Sequence, residues 1–238
     1  MIAVISGDII ASRKLENQGI WLNPLQNLLK TWGDSPKDWK LERGDFFQVE
    51  VAEVADALKK ALQIKALIKK IKALDKQKKA STIDVRLAIG IGEKTYSDNS
   101  ISTSNGPAFI NSGEKLDTLK KENKTLGIKT TWFEFDEDIN LYFKLISLFI
   151  DKWTISSAEL AEIVLNKPTI TQNEIGEILN ITQSGVSRRW KRANIDEMLE
   201  VEKIYRKKIK LYYYDNTHQT YVSPLYRGFS TPAQTVGQ

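Results

Sequence analysis

Gln183, Ser184, Ser187, Arg188, Lys191 and Arg192 recur at helical spacing along one side of a short segment that carries no acid. Cations that neutralise phosphates, with short polar side chains at the start of the helix, suit the major groove of DNA. The residues before them have the layout of a helix-turn-helix. Thr171 can cap a first helix in which Ile175, Ile178 and Leu179 share an apolar face, and Gly176 leaves room for a crossing helix. Asn180 stands where the chain needs a left-handed residue, and Ile181 plugs the turn. Ser184 is then expected to cap a second helix that buries Val186 and Trp190. The competing reading is a packed helical hairpin whose basic face is merely solvated.

Asp8 and Asp45 form a second set. Asp8 follows an apolar run, and Asp45 stands at the tip of a hairpin beside Arg43, which is expected to hold the hairpin. If the first strand pairs beside that hairpin, both carboxylates can approach one point. With the Ile9 carbonyl and phosphate oxygens they would make the hard-oxygen set that Mg²⁺ takes. Such a site can clamp a triphosphate and activate a hydroxyl for in-line attack, with Ser12 and Arg13 on the nucleotide phosphates. The alternative is ordinary Gly-Asp turn chemistry, with each aspartate capping a local segment.

The elements that must position these residues follow from hydrophobic spacing. Ile2 to Ser6 reads as a buried strand ended by Gly7-Asp8, and Ile20 to Trp32 as a helix. Trp39 to Glu42 and Phe46 to Val51 read as a hairpin, Val54 to Leu74 as a helix, and Ile83 to Ile91 as a strand. A polar loop from Tyr96 to Pro107, a helix from Ala108 to Asn123 and a strand from Ile128 to Phe133 complete an α/β (α+β) sandwich. It is expected to be ferredoxin-like at its centre, with its helices on one face of a mixed sheet. Lys59, Lys60, Lys65, Lys69, Lys70 and Lys72 are expected to form a solvated face.

After Asp136 only helices are expected: one ending near Trp153, one capped by Ser156 and running to Asn166, the helix-turn-helix, and one from Ile195 to about Lys210. The division is therefore an α/β domain over 1–135, a helical DNA-binding domain over 136–210, and a loosely ordered tail over 211–238. The six tryptophans are expected to be core and helix anchors rather than base-stacking platforms.

Composition narrows the chemistry. The 238 residues are 41% hydrophobic and 27% charged, with a net charge of +5, which fits a nucleic-acid or nucleotide partner. There is no cysteine, which excludes disulfides and thiolate metal sites, and a reducing cytoplasm is the natural setting. His218 is the one histidine, so histidine zinc centres and Ser-His-Asp triads are poor matches. The most apolar run, Leu141 to Ile150, is short and contains Lys144, so no membrane span is expected. The start lacks the basic flank and length of a signal peptide.

Several motifs carry resemblances. The segment from Thr171 to Trp190 resembles the helix-turn-helix of bacterial repressors and sigma-factor-like regulators, departing from it at Asn180 and Arg189. Ser6-Gly-Asp-Ile-Ile10, Glu42-Arg-Gly-Asp-Phe-Phe47 and Val85-Arg-Leu-Ala-Ile-Gly-Ile-Gly-Glu93 resemble strands of class III nucleotide cyclases and, more distantly, diguanylate cyclases. Ile110-Asn-Ser-Gly-Glu-Lys-Leu116 is similar to the cyclase helix that stabilises the transition state. That likeness implies Asn111 and Lys115 as catalytic candidates. Lysine in place of the cyclase arginine loses the planar bidentate grip on phosphate.

Over nearly its full length the chain resembles the bacterial SatD family, in its Ser-Gly-Asp-Ile start, its Arg-Gly-Asp-hydrophobe hairpin, its Ile-Gly-Ile-Gly-Glu strand and its C-terminal helix-turn-helix. The expectation is a cytoplasmic DNA-binding transcriptional regulator whose cyclase-like, palm-like domain binds a nucleotide effector with Mg or mediates homodimerisation. A dimer would set half-sites roughly one helical turn apart. The alternative is a Mg-dependent nucleotide cyclase or nucleotidyl transferase.

Overall fold

The computed structural model describes residues 1–15, 17–42, 44–74, 80–81 and 83–215. Arg43, expected to steady the hairpin, and the tail from residue 216 onward, His218 included, lie outside the described residues.

A five-stranded mixed sheet is built from β1 (Ile2–Ile10), β2 (Trp39–Leu41), β3 (Phe46–Val51), β6 (Asp84–Gly92) and β7 (Leu126–Lys129) in the order β2-β3-β1-β6-β7. β1 runs antiparallel to both β3 and β6, and β7 runs parallel to β6 at the edge. A two-residue pair, β4 (Ala73–Leu74) with β5 (Ala80–Ser81), stands apart. The described residues hold eight α-helices: α1 (Gly19–Lys30), α2 (Ala57–Lys69), α3 (Pro107–Glu122), α4 (Phe133–Ile150), α5 (Ile155–Asn166), α6 (Gln172–Leu179), α7 (Gln183–Ala193) and α8 (Ile195–Asp215). The protein is thus a mixed α+β fold. No helix of the described residues is long and apolar enough to cross a membrane.

Strand alternation sorts the layers. Ala3, Ile5 and Ile9 of β1 join Val85, Leu87, Ile89 and Ile91 of β6 in the main core, with Leu25 and Leu29 of α1 and Leu58 and Leu62 of α2. The opposite face carries Val4, packed against Ala108 and Phe109 of α3, and Ala88, packed against Leu116 and Leu119. The helices therefore cover both faces, not one. Small residues on that second face explain α3: a Cβ on Gly90 would lie 2.2 Å from the Ala108 carbonyl oxygen. Only a bare backbone lets α3 approach so closely.

β1 continues through Gly7-Asp8 instead of ending there. Gly7 is a packing residue, since a Cβ would meet the Phe47 ring at 2.4 Å. β7 stops at Lys129, and α4 already begins at Phe133, where a strand end was expected. Thr154, not Ser156, caps α5 by accepting the Ser157 amide.

Most of the α2 lysines do not form a solvated face, although Lys59 is half-exposed and Lys72, beyond the helix, is exposed. α2 is covered by the sheet on one side and α5 on the other, and Lys65 is 2% exposed. The Lys65 ammonium bonds Asp84 at 2.7 Å and Asp151 at 2.6 Å, while Lys70 pairs with Glu162 of α5. Lys69 donates to the Asp151 carbonyl at 2.6 Å. A buried cation persists only when paired in this way.

One core cluster runs from Ala3 through Phe135 and Ile175 to Ile209, so packing is continuous across residue 135. α8 returns to the sheet side, where the buried Tyr205 hydroxyl donates to the Val54 carbonyl at 2.8 Å and Arg206 meets Asp56 at 2.7 Å. Burial pushes the Tyr205 phenol upward, so it stays a neutral donor. α8 also extends to Asp215, beyond the expected tail boundary at 211, because Tyr212 packs on Trp132 and Phe135. Trp21, Trp39 and Trp153 are buried, and Trp32, Trp132 and Trp190 pack on the core as anchors.

Candidate nucleic-acid interface and candidate metal centre

The α6–α7 pair is set by local chemistry. Thr171 accepts the Glu174 amide at 3.3 Å, and the Glu174 carboxylate accepts the Thr171 amide at 2.7 Å, a reciprocal capping box. The Thr171 hydroxyl and amide hold the Glu174 carboxyl below its ordinary range. Asn180 is left-handed, with φ 51° and ψ 48°, as its place after the helix requires. A Cβ on Gly176 would lie 2.8 Å from the Ile181 carbonyl oxygen, so glycine lets the turn fold back onto α6. The Ile181 amide closes that turn on the Gly176 carbonyl at 2.9 Å.

The second cap differs from the expectation. Thr182, not Ser184, is the N-cap of α7, and its hydroxyl accepts the Gly185 amide at 3.2 Å. Ser184 lies inside the helix, exposed, with its hydroxyl 3.0 Å from that of Thr182. The cap falls two residues earlier because Gln183 already has helical backbone. Val186 is fully buried and Trp190 partly so, its indole donating to Asp196 at 2.8 Å.

The outer face of α7 then stands in solvent. Gln183, Ser184, Arg188, Lys191 and Arg192 are exposed and Ser187 is half-buried. Gln183 is steadied by donating to Gln172 at 2.7 Å. Arg189 points elsewhere, to Glu159 of α5 at 3.5 Å. Arg188, Lys191 and Arg192 form no ion pair with any described carboxylate. Arg188, Arg189 and Arg192 also line an open concavity of about 370 Å³ with Thr182 and Gly185. Of these, Arg188 and Arg192 are uncommitted among the described residues, and a free guanidinium can take a phosphate in a forked grip.

The carboxylate set is arranged otherwise. Asp8 lies inside β1, level with Phe46 of β3 and Arg86 of β6. Arg86 Nη1 donates to both Asp8 oxygens, at 2.9 and 3.1 Å, and its Nε donates to the Lys124 carbonyl at 3.0 Å. Asp45 sits one residue before β3, level with Ile9, whose amide donates to the Asp45 carbonyl at 3.1 Å. Its carboxylate takes the Ser12 hydroxyl at 2.5 Å. Each aspartate is therefore committed to a different partner. With a guanidinium already on Asp8, the donor set as it stands does not fit Mg²⁺. Ser12 is buried and spent on Asp45, while Arg13 is exposed beside it.

Asn111 and Lys115 do not join that set. Asn111 is buried, and its amide donates to the Ile91 carbonyl at 2.9 Å, at the end of β6 that pairs with Ala3. Ala3 and Asp8 are five steps apart along the strand, about 16 Å at roughly 3.3 Å per residue. Lys115, one turn on, faces a cleft beside α4. Arg86 and the Lys65–Asp84–Asp151 cluster were missed from sequence. The available signal was a charged residue at each of two alternate positions, Asp84 and Arg86, in an otherwise apolar strand.

No curated protein matches the chain. The SatD family profile matches residues 1–208, most of its length. The chain belongs to the SatD family.

Proposed function

We propose that this protein is a DNA-binding transcriptional regulator in which α6 and α7 act as a helix-turn-helix and α7 enters the major groove. The observation that carries the reading is the outer face of α7: Arg188, Lys191 and Arg192 are exposed and unpaired among the described residues, on a helix that itself carries no acid. Gln183, Ser184, Ser187 and Arg188 are nearest the base edges in this reading, and Lys191 and Arg192 meet phosphates. The concavity lined by Arg188 and Arg192 supports a backbone phosphate seat on the same helix.

Residues 1–135 serve in this reading as a ferredoxin-like, cyclase-related, palm-like scaffold for residues 136–210. The strand order β2-β3-β1-β6 with α1 and α2 on one face supports the ferredoxin-like part. The reading is tested by fluorescence anisotropy on genomic fragments across a salt series. Binding is expected to prefer particular sequences and to weaken with salt by a slope of roughly 0.9 per phosphate neutralised. Binding with no preferred sequence, and no loss on Arg188→Ala, would overturn it.

A further inference from the structure

We propose that the cleft between α3 and α4, at the open edge of β7, binds a small organic anion through Lys115 and Lys144. The proposal does not depend on DNA binding. The cleft holds about 320 Å³, within the range that takes small ligands. Leu119, Leu126 and the exposed Leu141 line it with Lys115 and Lys144, beside the carboxylates of Glu122 and Asp151. Leucines and unpaired lysines in one lining select a molecule with a hydrophobic body and a phosphate or carboxylate group.

Charge bookkeeping around the cleft leaves these two lysines over. On α3, Glu122 is taken by Lys124 at 2.7 Å, and Glu114 is taken by Lys129. At the end of α4, Asp151 is held by Lys65 and by the Thr125 hydroxyl, each at 2.6 Å. Asp136 of α4 is outside the lining, and its carboxylate accepts the Thr130 amide at 2.9 Å. Lys115 and Lys144 form no ion pair or hydrogen bond with any described residue.

Lys115 is half-buried, and burial lowers its pKa, with Asp136 and Glu122 opposing and Lys124 and Lys129 adding to the fall. A half-buried ammonium without a partner is held at a cost that an incoming anion relieves. Lys144 adds a second charge from the facing helix, so that an anion between them bridges α3 and α4.

Pyridoxal 5′-phosphate is a suitable probe on the full chain, since it carries an aldehyde and a phosphate on an apolar ring. Its aldehyde carbon forms a double bond to the lysine nitrogen with loss of water. Borohydride then delivers hydride to that carbon, fixing a secondary amine that peptide mass spectrometry locates. Lys115 is expected to label about tenfold faster with pyridoxal 5′-phosphate than with pyridoxal, because one charge-assisted contact is worth roughly a decade. Inorganic phosphate is expected to protect Lys115 and to leave the exposed Lys120 unchanged. The exposed variants Lys144→Met and Lys144→Gln should bring the ratio of the two aldehydes toward one. Equal labelling by both aldehydes, or a ratio unaffected by either variant, would overturn the proposal.

Discussion

α2 and α7 are both rich in basic residues, yet the fold uses them in opposite ways. α2 lies between the sheet and α5, so Lys65, Lys69 and Lys70 meet Asp84, Asp151 and Glu162, and Lys60 stacks over Trp32 at 4.3 Å. α7 is covered on its Val186 side, and apart from Arg189, which meets Glu159, its cations remain in water. A count of positive charge does not separate a polyanion-binding helix from a structural one. Whether each cation has a carboxylate within reach does.

The sharpest way to break this contrast is Lys65→Met. It leaves Asp84 and Asp151 short of their buried partner and is expected to cost about 3–5 kcal/mol in urea unfolding. A loss under about 1 kcal/mol would mean the cluster is solvated after all. Next comes the pair Arg188→Ala and Arg192→Ala, which should weaken DNA binding by roughly 1–3 kcal/mol each and lower the salt slope by about one apiece. Their unfolding free energy should stay within about 0.5 kcal/mol of the parent.

Thr182→Ala should cost about 1 kcal/mol as a lost N-cap, with Ser184→Ala costing clearly less; the reverse order would restore Ser184 as the cap. The smallest effect is expected at Asp136. Burial raises its pKa, against the opposing Thr130 hydrogen bonds, and Oδ1 has no partner among the described residues. The folded chain thus holds that proton more tightly than the unfolded one. Stability from this group is full below the ordinary carboxylate range and falls as pH climbs through the raised value. Asp136→Asn should flatten that part of a pH–melting profile, and an unchanged profile would remove Asp136 from the account.

The strands and the α6–α7 turn were legible because they obey local rules: an apolar run in β1, alternation in β6, a threonine able to cap α6, and an asparagine where the helix must stop. What failed to show was tertiary. The α2 lysines read as solvent-facing because periodicity registers an apolar stripe and is blind to a second covering layer. Asp8 and Asp45 read as converging because adjacency in a sheet was visible, whereas the register pairing Asp8 with Phe46 and the guanidinium of Arg86 were not. Asn111 and Lys115 were placed by likeness alone, and the length of β6 carries Asn111 to the far end. α3 crossed to the second face because Gly90 and Gly92 admit a backbone there, a feature that also fits a turn when read from sequence.

The strut formed by α8, with Tyr205 seated on Val54 and Arg206 on Asp56, bears on how the molecule can be dissected. A fragment cut at residue 136 would expose the α5 surface that α2 covers and strip Asp151 of both lysines. Such a fragment would be prone to clump, and its failure to shift a DNA band would say nothing about α7. Point variants on the outer face of the intact chain are the sound route, because they leave the shared interior untouched.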